Sequence, residues 1–92
     1  MIVETLFREL ELLLSDIVFS GLHNIQPVTL RKLDDMKLKL SELCMEEGAV
    51  RMDRLIESFY SYQAGKATAE DVANQLCAFE IYQKQVISTF SQ

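Results

Sequence analysis

His23, Cys44 and Cys77 are the side chains with the most chemistry to offer in this 92-residue chain. A histidine titrates near neutral pH and can act as acid, base or phosphoryl acceptor. His23 lies in the connecting stretch Gly21-Leu22-His23-Asn24-Ile25, with no cysteine beside it to activate. A phosphoryl-accepting histidine belongs on an exposed helix face, so His23 is expected to be a solvated loop residue or a cap on the preceding helix. A reactive thiol needs a cation or a helix N-terminus to favour thiolate. Cys44 stands beside Glu46 and Glu47, and Cys77 stands near Glu80, so both environments oppose ionisation. Both are expected to be small buried apolar side chains, reduced and unbridged, because no spaced cysteine framework surrounds them.

The acidic residues give no ligand set. Asp34-Asp35 and Glu46-Glu47 are adjacent pairs that point different ways on a helix, and Asp35 sits four residues before Lys39 as a surface ion pair would. No calcium loop, Glu-x-x-His pair, His-Glu-x-x-His motif or phosphate-cradling glycine loop occurs. One histidine and two cysteines are too few for a self-contained zinc site. The chain is therefore expected to be no enzyme, with no catalytic, cofactor-binding or metal-ligating residue. Gln83, Glu80 and Cys77 are the only polar candidates for an inward-facing site, and they are insufficient for one.

These residues sit on a chain short enough for one domain, 1–92, and one that buries only about 60–65% of its unfolded surface. Hydrophobic residues make up 49% and charged residues 25%, a globular balance. Nine basic against 14 acidic residues give a net charge of −5, which argues against nucleic acid as a partner. Glu4, Arg8, Glu9 and Glu11 interrupt the first apolar run, so neither a secretory leader nor a membrane span is expected there. The expected setting is the cytoplasm.

Sparse punctuation divides the chain. Gly21, Gly48 and Gly65 each follow an apolar-periodic run, as residues that close a helix do. Pro27 fits a first helical position, and Thr68 with Asp71 makes a variant capping box. These marks predict helices at about 2–20, 27–47, 49–64 and 69–90. Each has an apolar face: Val3, Leu6, Phe7, Leu10, Leu13, Leu14 and Ile17 in the first; Leu30, Leu33, Met36, Leu40, Leu43 and Cys44 in the second. Met52, Leu55, Ile56, Phe59 and Tyr62 form the third, and Val72, Ala73, Leu76, Phe79, Val86, Ile87 and Phe90 the fourth, with Gln83 intruding. No segment alternates as a half-buried strand does. The fold class predicted is all-α, a compact antiparallel bundle of about four helices.

Some apolar residues fall on the wrong side. Leu12 and Phe19, seven apart, project away from the first stripe, and Leu38 and Met45, also seven apart, do so on the second helix. Ile81, with Cys77, leaves the fourth stripe. Paired off-stripe residues at heptad spacing form a second seam, covered either within the monomer or by another molecule. Tyr60, Tyr62 and Tyr82 add amphipathic rings suited to an interface or to the core margin.

Gly21-Leu22, the loop with Pro27, the leucine-spaced helix ending Cys44-Met45-Glu46-Glu47-Gly48, and Ala49-Val50-Arg51-Met52-Asp53-Arg54-Leu55 resemble a helical segment found in bacterial proteins that carry or accompany SWIM-type zinc fingers. The similarity covers residues 21–60 and rests on glycine and leucine spacing. The paired cysteine and Cys-x-His zinc motif of that family is absent, so no zinc, nucleic-acid function or site residue carries over. The resemblance implies a helical accessory segment that works in protein–protein contact.

The functional expectation is a small non-catalytic interaction module that self-associates as a homo-oligomer or docks on a larger protein. Its interface residues would be Leu12, Phe19, Leu38, Met45 and Ile81. The alternative is an acidic regulator: residues 1–24 carry four acids against one base, so the first helix would occlude a basic site on a partner.

Overall fold

A computed structural model of the chain describes residues 2–22 and 25–90. His23, and the side chains of Ile2 and Phe90, lie outside the described residues. Four α-helices occupy the described chain: α1 (Ile2–Ser20), α2 (Pro27–Glu42), α3 (Glu46–Gln63) and α4 (Ala69–Phe90). The all-α expectation holds, and α1 and α4 match the expected spans at both ends. The α2–α3 boundary does not.

Local chemistry explains each helix end. At the end of α1, Gly21 adopts φ 85° and its N–H bonds the Ile17 carbonyl at 3.0 Å, closing the helix in the left-handed region that glycine enters freely. Pro27 stands at the start of α2, where its missing N–H costs nothing. The expected box at α4 is reciprocal: the Thr68 N–H donates to the Asp71 carboxylate at 2.9 Å, and the Asp71 N–H donates to Thr68 Oγ1 at 3.2 Å.

Gly48 does not close α2. The helix ends at Glu42, and Cys44 takes the left-handed turn with φ 61°. The Met45 N–H then bonds the Leu40 carbonyl at 2.9 Å and the Cys44 N–H bonds that of Ser41 at 3.0 Å, the paired bonds of a Schellman closure. Glu46 and Glu47 form the first turn of α3, where acidic side chains meet the positive end of the helix dipole. Gly65 makes the same closure after α3, with the Lys66 N–H on the Ser61 carbonyl at 2.8 Å. A cysteine in the left-handed region costs about 1 kcal/mol or more. Cys44→Gly is accordingly expected to raise stability by about 1 kcal/mol, read as a higher urea midpoint with an unchanged slope.

Each helix packs on its neighbours in a closed ring, α1 on α2, α2 on α3, α3 on α4 and α4 back on α1. Cross-links between elements show the antiparallel sense. Gln63 at the end of α3 donates to the Ile25 carbonyl just before α2 at 3.3 Å, and Lys37 of α2 pairs with Asp53 of α3 at 3.0 Å. Gln83, late in α4, donates to the carbonyl of Phe7, early in α1, at 2.8 Å. The molecule measures 41 × 23 × 22 Å, so its cross-section is two helix diameters, as a two-by-two bundle requires. Phe7, Leu10, Leu33, Leu40, Met52, Leu55, Phe59 and Phe79 are fully buried along its axis.

One contact ties three helices together. Tyr82 of α4 lies tilted against Phe7 of α1 and Phe79, with ring centroids 6.3 and 6.1 Å away, and the Arg51 guanidinium of α3 stands 5.7 Å from its ring centre. Arg51 is held in place by Glu47 at 3.0 Å. Burial pushes the Tyr82 phenol above its ordinary range and the Glu47 charge adds to this, while the Gly48 backbone and Arg51 oppose it. Gly48 serves this contact, not a turn: a Cβ there would meet Tyr82 Oη at 2.7 Å. Gly48→Ala should gain about 1 kcal/mol of helix propensity yet lose more to overpacking, typically about 1–3 kcal/mol. A lowered Tm is the expected result, and Gly48→Ala/Tyr82→Phe should recover part of it. A Tm raised by Gly48→Ala alone would show that the ring yields without strain.

Candidate interaction surface

The core does not absorb every apolar side chain. Nineteen residues of α1 contain the run Ile17-Val18-Phe19, and residues 100° apart on a helix cannot all face one core. Ile17 is buried, whereas Val18 is 60% and Phe19 93% exposed. Leu12, one heptad before Phe19, is 68% exposed. These three line an open groove of about 770 Å³ between α1 and α4, whose other walls include Arg8 and Glu11 of α1 and Glu80 and Lys84 of α4. The groove floor includes Gln83, buried beneath it and bonded to Phe7.

The five residues expected at an interface therefore separate. Leu12 and Phe19 come together on one groove. Leu38 is exposed on α2, a helix that lines no part of it, and Ile81 is exposed on α4 but outside the lining. Met45 is not free at the surface: it is partly buried against the core, at the Schellman closure where its N–H bonds the Leu40 carbonyl. Val18 was legible in sequence as the middle of three consecutive apolar residues, and was missed because it borders the main stripe.

The cysteines correct the reading made of them. Cys44 and Cys77 are both exposed free thiols, not buried apolar fillers. Cys44 is exposed because it occupies the turn, and Cys77 because it faces away from Val72, Phe79 and Gln83 on α4. Tyr82 completes the core, Tyr62 is half-buried and Tyr60 is half-exposed. The ion pairs also differ from the expected Asp35–Lys39 pair. Lys37 bonds Asp53 at 3.0 Å and approaches Asp34 at 3.6 Å, and the Asp53 hydrogen bond, opposed by burial, raises its pKa. This cluster links α2 to α3 and lies away from the groove.

Among the described residues, no group of three or more His, Cys, Asp or Glu side chains converges as a metal site would require, and no helix is long and apolar enough to cross a membrane. Comparison with protein-family models, curated proteins and solved structures found no match to this chain. Residues 21–60 include α2 and most of α3, on which neither Leu12 nor Phe19 lies.

Proposed function

We propose that this protein is a small non-catalytic interaction module that binds another protein through the outer face of α1. The observation that carries this reading is Phe19, 93% exposed and on one helix face with exposed Leu12, with exposed Val18 beside it in the lining of the same open groove. A large aromatic left in water forgoes about 1.5–3 kcal/mol that burial would supply, and aromatic anchors in pockets dominate binding energy at protein interfaces. The free, exposed thiols of Cys44 and Cys77 suit a reducing compartment, which supports a cytoplasmic setting.

Phe19→Ser tests the reading. Helicity should stay at the wild-type value and stability should change by no more than about 0.5 kcal/mol, because the side chain contributes little to the core. Association should be lost, whether seen as solution mass by light scattering or as protein captured from cell extract. Unfolding of Phe19→Ser would make Phe19 a folding residue, and a wild-type chain that binds neither itself nor another protein would also overturn the proposal. Repeating the binding measurement at low and high salt separates the second reading. An apolar seam tolerates salt, whereas Glu4, Glu9, Glu11 and Asp16 acting on a basic partner would lose binding as salt rises.

A further inference from the structure

Resting on the reading above, we infer that the occupant of the α1 face is a second copy of this chain, packed with the two α1 helices antiparallel about a twofold axis beside Ser15. The face is complementary to itself in that sense. Leu12 and Phe19 lie at nearly equal distances on either side of Ser15, so reversing the helix sets Leu12 against Phe19 of the partner subunit and Phe19 against the partner's Leu12. Ser15, small and exposed, sits where the two backbones come closest.

Charge selects the same arrangement. The last turn of α1 carries no basic residue, so its negative dipole end is unneutralised by its own helix. Arg8 is exposed and makes no ion pair among the described residues. In the antiparallel register Arg8 falls about three residues, ~4–5 Å, past the end of the partner's α1, within reach of its terminal carbonyls. A parallel pair would instead stack Arg8 on Arg8 and Glu11 on Glu11. The groove rim is also balanced, Arg8 and Lys84 against Glu11 and Glu80, on a chain of net charge −5. The groove rim therefore does not by itself oppose a second copy. The unfavourable feature is the approach of two Asp16 carboxylates beside the axis, which keeps the association weak and reversible.

The test begins with Cys44→Ser/Cys77→Ser, which removes two exposed thiols, and adds either Ser15→Cys or Thr5→Cys. Each variant is checked for helicity, then oxidised mildly with oxidised glutathione. Ser15→Cys should form a covalent dimer, because that residue lies beside its own image, and Thr5→Cys should not. The unoxidised parent should dimerise as its concentration rises and remain dimeric in high salt. Asp16→Asn should tighten the dimer several-fold. Cross-linking at both positions would mean a parallel pair and overturn the register, as would an unchanged affinity in Asp16→Asn. A chain monomeric at every concentration, with neither position cross-linking, would overturn the second copy as occupant. The broader reading would then stand or fall separately, on Phe19-dependent capture of a different protein.

Discussion

Phe7→Ala is expected to lower unfolding free energy by about 3–5 kcal/mol, measured from urea denaturation. Phe7 is fully buried in α1, its ring lies against Tyr82 of α4, and its carbonyl accepts the Gln83 amide. Truncation removes the transfer energy of the ring and opens a cavity that the neighbouring helices cannot close without giving up the Tyr82 contact. A chain of 92 residues has a total stability of only about 5–14 kcal/mol, so the loss is a large fraction of it. α1 is the helix most exposed to this change, because Phe7 supplies its tie to α4. A cost under about 1 kcal/mol would show that α1 is held mainly by α2.

Gln83→Glu is the second large effect, and it depends on pH. Gln83 is 2% exposed and donates its amide hydrogen to the Phe7 carbonyl at 2.8 Å. An ionised glutamate there has no hydrogen to donate and sets a buried negative charge against a carbonyl oxygen. Leaving a buried charge uncompensated costs about 3–5 kcal/mol. The carboxyl can keep the contact only when protonated, so its pKa in the folded chain rises above the unfolded value of about 4.3. A raised pKa means that the variant matches wild type below about pH 4 and loses stability as pH rises through the folded pKa. Unfolding midpoints of variant and wild type at acid and neutral pH measure this difference. Gln83→Met, which keeps the volume and carries no charge, should stay within about 1.5 kcal/mol of wild type at both pH values. A Gln83→Glu chain as stable as wild type at neutral pH would mean that the side chain leaves the interior for the groove.

Gln83 also shows where reading in one dimension stops. Its position on the apolar stripe of α4 is visible in the order of residues, as an exception. Its partner lies 76 residues away in sequence, on a carbonyl whose position depends on how α1 docks. Gly48 is a comparable case. A glycine after a periodic run reads as a helix end, yet the Glu46-Glu47 pair before it marks the first turn of the next helix. What makes glycine necessary there is the Tyr82 ring, 34 residues further on and on another helix.

Apart from the α2–α3 boundary, the order of residues by itself determined the four helices and most of the faces they bury, with Leu43, Cys44 and Ala73 exposed against expectation, because helical periodicity, Pro27, Gly21, Gly65 and the Thr68–Asp71 box act through neighbours within a turn. It also determined that Leu12 and Phe19 face away from the core of their own helix, since 100° per residue leaves them no other direction. Tertiary structure decided what lies opposite them. It left Leu12, Val18 and Phe19 on an open groove with α4, packed Met45 against the core, and put Cys44 in the turn. Those outcomes depend on how whole helices pack, and packing couples residues that are distant in sequence through shape and volume, which no local pattern encodes.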